Sequence, residues 1–373
     1  MIAEKIVSEL KKAGVNFFTT LPCEKVRRLS ELISQNFKHI NLSKEEEGVG
    51  ICAGAYLAGA KPAMLVQSSG TGNMVNALCS LTKTYELPLP VLVSWRGVYK
   101  EEIPAQIPLG KRLPKVLEAL DIDYCIVETQ YDIKAVYTAV SKAYAQNKAY
   151  FILLNPKIWK AETKVEERLK TEVKRETKAE RFQTRSLIPV MTRFDVLKAL
   201  REYLDGKIVV CNLGIPSKEL FHLKHQKTNF YMLGSMGLAS SIGLGLAYFT
   251  KKEVAVIDGD GSLLMNLGTL STIAMVKPKN LTILAIDNGV HGSTGNQPTA
   301  TSYCTDLELI AKGAGFMKTY KAATEPQILS AIKSLRDGPN FVHILAKPGN
   351  AKVPNVPLTP LEIKKNVMEA MKN

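Results

Sequence analysis

Two short polar segments could together bind a metal ion and a phosphate group. The first, Gly259-Asp260-Gly261-Ser262, follows an apolar strand, and the second, Asp287-Asn288-Gly289-Val290, starts 26 residues after Gly261, behind another apolar strand. A helical run separates the two strands, so this stretch predicts a β-α-β unit. Because parallel strands joined by a crossover end at the same edge of a sheet, Asp260 and Asn288 should lie side by side.

The chemistry of these segments suits a magnesium diphosphate. Carboxylate, amide and backbone carbonyl oxygens are the hard ligands that Mg²⁺ prefers. Glycine lets the backbone approach a ligand closely, and a helix that begins near Ser262 offers unpaired N–H groups to phosphate. Alone, the Gly-Asp-Gly-Ser tetrapeptide is more often an ordinary strand-to-helix turn. The Asn after the second strand is what favours the metal site.

A run of three acids, Glu45-Glu46-Glu47, precedes a helix of small apolar residues predicted over 49–58. A carboxylate that is desolvated at such a place could exchange protons with a bound group. Acids at a helix start are also favoured by the helix dipole alone, so this run has a purely structural interpretation as well.

The composition is that of a globular protein, with 46% hydrophobic and 23% charged residues in 373. Neither a long apolar span nor a signal-peptide profile is present, so we expect no membrane association. The six cysteines show no CxxC pairing, which predicts reduced thiols and a cytoplasmic location. The net charge of +14 suits an anionic substrate and cofactor, and without a recognised nucleic-acid motif we expect no nucleic-acid partner.

Strands alternate with helices on both sides of one charged stretch, which predicts an α/β protein with two parallel sheets. Residues 1–156 are predicted as the first domain and 191–373 as the second. The segment 157–190, rich in Lys, Glu, Arg and Thr, is predicted to be a solvated linker. No sequence repeat between the two domains is detectable.

These motifs resemble the thiamine-diphosphate (ThDP) enzymes, whose signature is Gly-Asp-Gly followed, after a spacing in the mid-twenties, by Asn-Asn. Here Asp287 replaces the first Asn. The resemblance implies two ThDP-binding-fold domains, one for the pyrimidine and one for the diphosphate, with Mg²⁺ held by Asp260, Asn288 and the carbonyl of Val290. It implies further cofactor contacts from a set of residues along the second domain: Gly234, Ser235, Met236, Gly259, Gly261, Ser262, His291 and Gly292.

The resemblance also implies a catalytic glutamate against the aminopyrimidine. Counting back from Gly54 and from Lys61-Pro62 selects Glu45, whereas aligning Tyr56 with the aromatic residue of the family selects Glu46. We favour Glu45. By this resemblance, Met236 would lie between the two rings of the cofactor. The carbonyl of Gly234 would accept a hydrogen bond from the 4′-amino group of the aminopyrimidine.

The absence of a middle domain resembles the branch of sulfopyruvate and phosphonopyruvate decarboxylases. The segments 45–57, 94–97, 103–108 and 287–297 resemble the former most, with its two subunits fused in one chain. This implies non-oxidative decarboxylation of 3-sulfopyruvate to sulfoacetaldehyde and CO₂, a step of coenzyme M biosynthesis. The family also implies a homo-oligomer, at least a dimer, with active sites at chain interfaces. Candidate groups for the small anionic 2-keto acid are Arg27, Gln67, Asn73, Arg96 and Gln106.

Three alternatives remain open from the sequence. Phosphonopyruvate decarboxylase has the same chemistry on another anion, and His291, where Tyr is more usual, could adjust that preference. An acetolactate-type carboligase would join the product to a second keto acid. A non-catalytic regulator that binds ThDP or a nucleotide would belong to a different class of protein altogether.

Overall fold

The N-terminal half of the chain forms a six-stranded parallel sheet. In the computed structural model, which describes residues 1–161 and 186–372, its strand order is β2-β1-β3-β4-β6-β5. The apolar strands of its centre are buried because helices cover both faces. The strands are β1 Phe17–Thr20, β2 Lys38–Asn41, β3 Pro62–Gln67, β4 Leu89–Ser94, β5 Asp123–Val127 and β6 Ala149–Leu154.

The C-terminal half forms a second six-stranded parallel sheet and one short antiparallel hairpin. The strands of the half are β7 Ile208–Cys211, β8 Asn229–Tyr231, β9 Val254–Gly259, β10 Leu281–Asp287, β11 Val290–His291, β12 Gln297–Pro298, β13 Lys318–Ala322 and β14 Asn340–Leu345. The sheet order is β13-β14-β10-β9-β7-β8, and β11 pairs with β12. If β11 and β12 are left out and the other six strands of this half are numbered 1 to 6 along the chain, the sheet order is 2-1-3-4-6-5. This is the order of the first sheet. The two halves thus share a topology that their sequences do not reveal.

Helices connect the strands in both halves. In the first half they are α1 Ile2–Lys12, α2 Arg27–Asn36, α3 Glu45–Leu57, α4 Val75–Ala77, α5 Ile107–Ala119 and α6 Lys134–Gln146. In the second half they are α7 Arg193–Leu200, α8 Ile215–Leu223, α9 Ala239–Phe249, α10 Asp260–Met265, α11 Gly268–Val276, α12 Leu307–Ala314, α13 Glu325–Ser334 and α14 Pro360–Lys372. None of the helices described is long and apolar enough to span a membrane.

The predicted α/β architecture with two parallel sheets is confirmed, with two local differences. The helix expected after Ser262 is divided at Asn266 into α10 and α11. The helix that connects β3 and β4 is α-helical only over Val75–Ala77 and continues as a π-helix, Leu78–Lys83. Of the predicted linker 157–190, residues 162–185 lie outside the described residues, and 186–190 have no regular structure.

The two halves pack through a helix crossing in which backbone meets backbone. Gly54 of α3 lies against the carbonyl oxygen of Ile242 and the N–H of Leu246, and Gly245 of α9 lies against the corresponding groups of Ile51 and Ala55. The contact is therefore the same seen from either helix, as expected for two equivalent elements related by a local two-fold axis. A methyl group at either glycine would overlap a backbone atom of the other helix.

The crossing also fixes the relative direction of the two sheets. Gly50 lies against Ser241 and Gly54 against Gly245, so α3 and α9 run in the same general direction. Each helix is a crossover and runs opposite to the strands of its own sheet. The strands of both sheets therefore point the same way, and their carboxyl edges open on the same side of the chain.

The helix crossing gives a stability prediction. Gly54→Ala should lower the free energy of unfolding by about 2–3 kcal/mol, because the added methyl group must displace the backbone of α9. Gly313→Ala is the matched control, since Gly313 is helical and nothing lies within 4 Å of the site of its Cβ. This second change should raise stability by about 0.5–1 kcal/mol. Urea unfolding of both variants checks the pair, and a Gly54→Ala protein as stable as the wild type contradicts the crossing.

Candidate active site

A pocket opens at the carboxyl edge of the second sheet, where β7, β9 and β10 end. Nine of the residues predicted to contact the cofactor line it: Met236, Gly259, Asp260, Gly261, Ser262, Asn288, Val290, His291 and Gly292. The structure therefore brings together the two segments with which the sequence analysis began. The remaining two, Gly234 and Ser235, lie beside this pocket against Ser80 of the first half.

The Asp260 carboxylate is held by two hydroxyl groups. Thr299 and Thr301 both donate to its Oδ2 atom, the second at 3.3 Å, and Thr301 also donates to Asp287 at 2.7 Å. Both threonines belong to the segment that follows β12. This one segment therefore connects, through its hydroxyl groups, the Asp260 carboxylate after β9 with the Asp287 carboxylate at the end of β10. Asn288, next to Asp287, thereby keeps a fixed position relative to Asp260.

The charge of the pocket suits a divalent cation. Burial raises the pKa of the Asp258 carboxyl to about 6, and the nearby Asp260 adds to the rise. Burial likewise raises the pKa of Asp260, against the hydrogen bond from Thr299, and Asp287 adds repulsion. A cation would relieve this repulsion. Among the described residues no group of three or more His, Cys, Asp or Glu could hold a metal. Asp260, Asn288 and Val290 on the pocket wall carry carboxylate, amide and carbonyl oxygens of the kind that Mg²⁺ prefers.

The segment before α9 adopts a strained backbone beside the pocket. Ser235 has φ 58° and Gly237 φ 94°, both left-handed, and the side chain of Ser235 is buried. The N–H of Gly237 donates to Ser262 Oγ at 3.0 Å, which joins this segment to the Gly-Asp-Gly-Ser turn. Met236 is held between these turns and lines the pocket. Left-handed backbone at non-glycine residues is concentrated at functional sites.

The three consecutive glutamates have different surroundings. Glu47 is fully buried, and its Oε1 atom accepts from the N–H groups of Ser43 and Lys44 and from Thr272 of the second half. Glu46 pairs with Lys44 at 2.9 Å near the surface. Glu45 is 5% exposed and accepts one side-chain hydrogen bond, from Asn73 at 2.9 Å. Glu47 is therefore part of the domain contact and Glu46 is paired with Lys44, which favours Glu45 as the chemical group.

Glu45 lies against the glycine-rich loop 67–73. Any side chain at Gly70 would overlap the Glu45 carboxylate, so the loop can approach it only with glycine at this position. Gln67, at the end of β3, donates to Ser69 at 2.5 Å within the same loop. Ser68 in turn exchanges hydrogen bonds with the backbone of Arg96, which follows β4. Four of the residues singled out for catalysis or substrate, Glu45, Gln67, Asn73 and Arg96, thus share the carboxyl edge of the first sheet.

Arg96 is occupied by an internal partner. Its guanidinium group donates two hydrogen bonds of 2.6 Å to Glu101, and both side chains are only 6% exposed. The hydrogen bonds from Arg96 hold the pKa of Glu101 at about 2, against the effect of burial. The pair orders the turn that begins at Gly97, whose φ of 87° and contact with the Gln106 carbonyl oxygen require glycine.

The other two candidate substrate residues have different surroundings. Arg27 is half-exposed, pairs with Glu31 at 3.0 Å and lines a separate cleft with Cys23 and His39. Gln106 begins α5, and its side-chain oxygen is buried without a hydrogen-bond partner among the described residues.

Sequence reasoning missed several residues that shape the pocket. Arg193 lines it and donates to Glu219 and to Asn350, which itself donates to the carbonyl of Gly292. Asn212 also lines the pocket, and its place directly after β7 was the available signal, because a polar residue at the carboxyl end of a parallel strand faces the ligand edge. No sequence signal identified Thr299, Thr301 or Arg193.

The two halves match two domain families of one class of enzyme. Residues 1–113 match the thiamine pyrophosphate enzyme N-terminal TPP binding domain, and residues 215–344 match the thiamine pyrophosphate enzyme C-terminal TPP binding domain. A putative thiamin diphosphate-dependent enzyme from Mycobacterium smegmatis shares the fold, with a TM-score of 0.71 at 12% identity over 94% of this chain and 100% of that chain. The predicted fold class is thus confirmed.

Proteins of higher sequence identity show to which branch of these enzymes the chain belongs. Sulfopyruvate decarboxylase of Methanosarcina acetivorans is 43% identical over 99% of this chain and 97% of its own. The beta subunit of that enzyme in Methanococcus maripaludis is 47% identical over 49% of this chain and 98% of its own. Phosphonopyruvate decarboxylase of Streptomyces viridochromogenes is 31% identical over 97% of this chain and 92% of its own. The chain belongs to the sulfopyruvate decarboxylase family of thiamine pyrophosphate enzymes, as the sequence motifs predicted.

The distinct surroundings of the three glutamates predict distinct effects of their removal. Glu47→Ala should lower the free energy of unfolding by about 1–3 kcal/mol, because buried N–H and hydroxyl donors lose their acceptor. Glu46→Ala should lower it less, by about 0–1 kcal/mol, because it removes one ion pair whose Lys44 partner is 40% exposed. Chemical denaturation measures both. Equal losses would show that Glu47 has no special place in the domain contact.

Proposed function

We propose that this protein catalyses the ThDP- and Mg²⁺-dependent, non-oxidative decarboxylation of 3-sulfopyruvate to sulfoacetaldehyde and CO₂ in coenzyme M biosynthesis. The observation that carries the proposal is the pocket with Asp260, Asn288 and Val290 on its wall, in a chain 43% identical over nearly its full length to a sulfopyruvate decarboxylase. We take residues 1–156 as the pyrimidine-binding domain, 157–190 as the linker and 191–373 as the diphosphate-binding domain.

Each part of the second-half pocket has a task in this proposal. Asp260, Asn288 and the Val290 carbonyl would hold Mg²⁺, and the N–H groups at the start of α10 would bind phosphate oxygens. Met236 would support the bend of the cofactor. When bound, ThDP supplies a cationic ring that accepts the electron pair left behind as CO₂ departs.

Glu45 would share a proton with N1′ of the aminopyrimidine. Its burial and the hydrogen bond from Asn73 fix the carboxylate in one orientation, and the glycine-rich loop excludes water from one side of it. A general acid–base group needs such a fixed position within hydrogen-bond reach of its partner. Glu46, paired with Lys44 at the surface, lacks this enclosure.

The substrate would be bound mainly by neutral polar groups and by the overall positive field. Gln67 and Asn73 lie on the loop beside Glu45 and offer amide donors to a carboxylate or a sulfonate. Arg96 would act by ordering the 97–106 turn, because Glu101 already neutralises its charge. The net charge of +14 favours the arrival of a dianionic keto acid.

The active site would be completed by a second copy of the chain. Both sheets of one chain open on the same side, so neither carboxyl edge covers the other. A cofactor that reaches from Asp260 to a Glu45 carboxylate is accommodated if a second chain turns its own edges toward the first. We therefore propose a homo-oligomer, at least a dimer, with sites at chain interfaces. We also propose a cytoplasmic location, with which the six unpaired cysteines, all of them described, agree.

Release of CO₂ tests the activity. Purified protein with ThDP and Mg²⁺ should release CO₂ from sulfopyruvate faster than from phosphonopyruvate or pyruvate, and sulfoacetaldehyde should be the product. Glu45→Gln should lower kcat by about a hundredfold or more, the usual effect of losing a proton-transfer group. Preference for phosphonopyruvate would assign the rival substrate, a carboligation product would assign the other reaction, and full activity of Glu45→Gln would contradict the mechanism.

Mixing two inactive variants tests the assembly. Glu45→Gln and Asp260→Asn chains, refolded or expressed together, should regain up to about a quarter of wild-type activity, because half of random dimers are mixed and each contains one intact site. Neither variant alone should recover. A mixture that stays inactive, although size measurements show mixed oligomers, would place both groups of a site in one chain.

A further inference from the structure

The helix that follows the glycine-rich loop contacts the second half through two side chains, Ser80 and Tyr85. Ser80 lies within the π-helix Leu78–Lys83, and Tyr85 lies just beyond its end. Tyr85 contacts β8 and Leu233, whereas Ser80 contacts Gly234 and Ser235 in the segment that leads to Met236. Single π-turns inside α-helices frequently occur at functional sites.

Tyr85 is bonded to this segment through two backbone groups. Its hydroxyl donates to the carbonyl oxygen of Tyr231 at 2.8 Å and accepts from the N–H of Leu233 at 2.9 Å. The ring is fully buried and packs on Phe230 with centroids 4.9 Å apart. One hydroxyl thus fixes both sides of Met232, immediately before the left-handed turn.

Ser80 continues the same contact into the turn itself. Its hydroxyl is 2.6 Å from that of Ser235 and also donates to the carbonyl of Asn76. A Cβ atom on Gly234 would lie 2.9 Å from the Cβ of Ser80, so this approach is possible only with glycine. Four of the five positions before Met236 are therefore contacted by the first half of the same chain: Tyr231, Leu233, Gly234 and Ser235.

We propose that Tyr85 and Ser80 are positioning residues that hold the Leu233–Met236 turn in the conformation that binds the cofactor. This inference rests on the proposed function, since Met236 matters only if the pocket binds ThDP. In the proposed oligomer, the first half of each chain would then serve two sites: it offers Glu45 to the pocket of a partner and shapes the pocket of its own second half.

Tyr85→Phe tests the proposal, because it keeps the ring and removes both hydrogen bonds. The dissociation constant for ThDP with Mg²⁺, measured by calorimetry, should rise about tenfold, the effect of losing two ordinary hydrogen bonds. Tyr144→Phe is the matched control: Tyr144 is also a largely buried tyrosine whose hydroxyl donates to a backbone carbonyl, that of Pro62, but within the first half. It should change ThDP affinity less than twofold.

Amide hydrogen exchange of the protein without cofactor gives a second readout. Tyr85→Phe should speed exchange at residues 232–237, and Tyr144→Phe should not. Ser80→Ala, a smaller change, should give the same pattern and keeps the test available if Tyr85→Phe does not fold. Unchanged exchange and unchanged ThDP affinity in both Tyr85→Phe and Ser80→Ala would overturn the inference. Failure of the wild-type protein to bind ThDP would instead overturn the proposed function, while the exchange result would still report on the contact.

Discussion

The contact of α3 with α9 is the constraint on which the arrangement of the whole chain depends. Gly54 and Gly245 allow the two backbones to meet, and each fits against the same groups of the opposite helix. Because the two helices are equivalent crossovers of equivalent sheets, one contact sets the position and the direction of both halves. The glutamate at the start of α3 and the turn that leads into α9 consequently lie at the same end of the helix pair.

The second feature that organises the site is a group of buried carboxylates with few compensating charges. Asp258, Asp260 and Asp287 lie at the ends of adjacent strands and are buried, and burial raises the pKa of Asp258 and of Asp260. On the far side of Asp287, His343 lies at 2.8 Å and contacts Asp306 at 3.6 Å. On the pocket side the partners are the hydroxyl groups of Thr299 and Thr301. A polar network of this kind is favourable when every member has a partner, and the proposed cation would supply one more.

Sequence reasoning predicted what short-range patterns encode. Apolar runs ending in Asp260 and Asn288 indicated strand ends at one edge, and both line one pocket. The choice of Glu45 over Glu46 came from spacing, and its catalytic role stays a prediction. The structure adds that Glu45 is buried beside Asn73 and that Glu47 is used by the domain contact. The matched strand order of the two sheets, the connection through Thr299 and Thr301 and the role of Tyr85 were not predicted. They depend on residues far apart in sequence, whose types alone do not distinguish them from ordinary core or loop residues.

The close packing between the two halves has different consequences when the halves form one chain and when they are separate subunits. The Methanococcus maripaludis relative named as the beta subunit of sulfopyruvate decarboxylase corresponds to about half of this chain. Halves on separate chains can associate only after diffusing together. Here the peptide connection raises the effective concentration of one half at the other to roughly the millimolar range. The interface of a fused chain can therefore tolerate weakening substitutions that would separate two independent subunits.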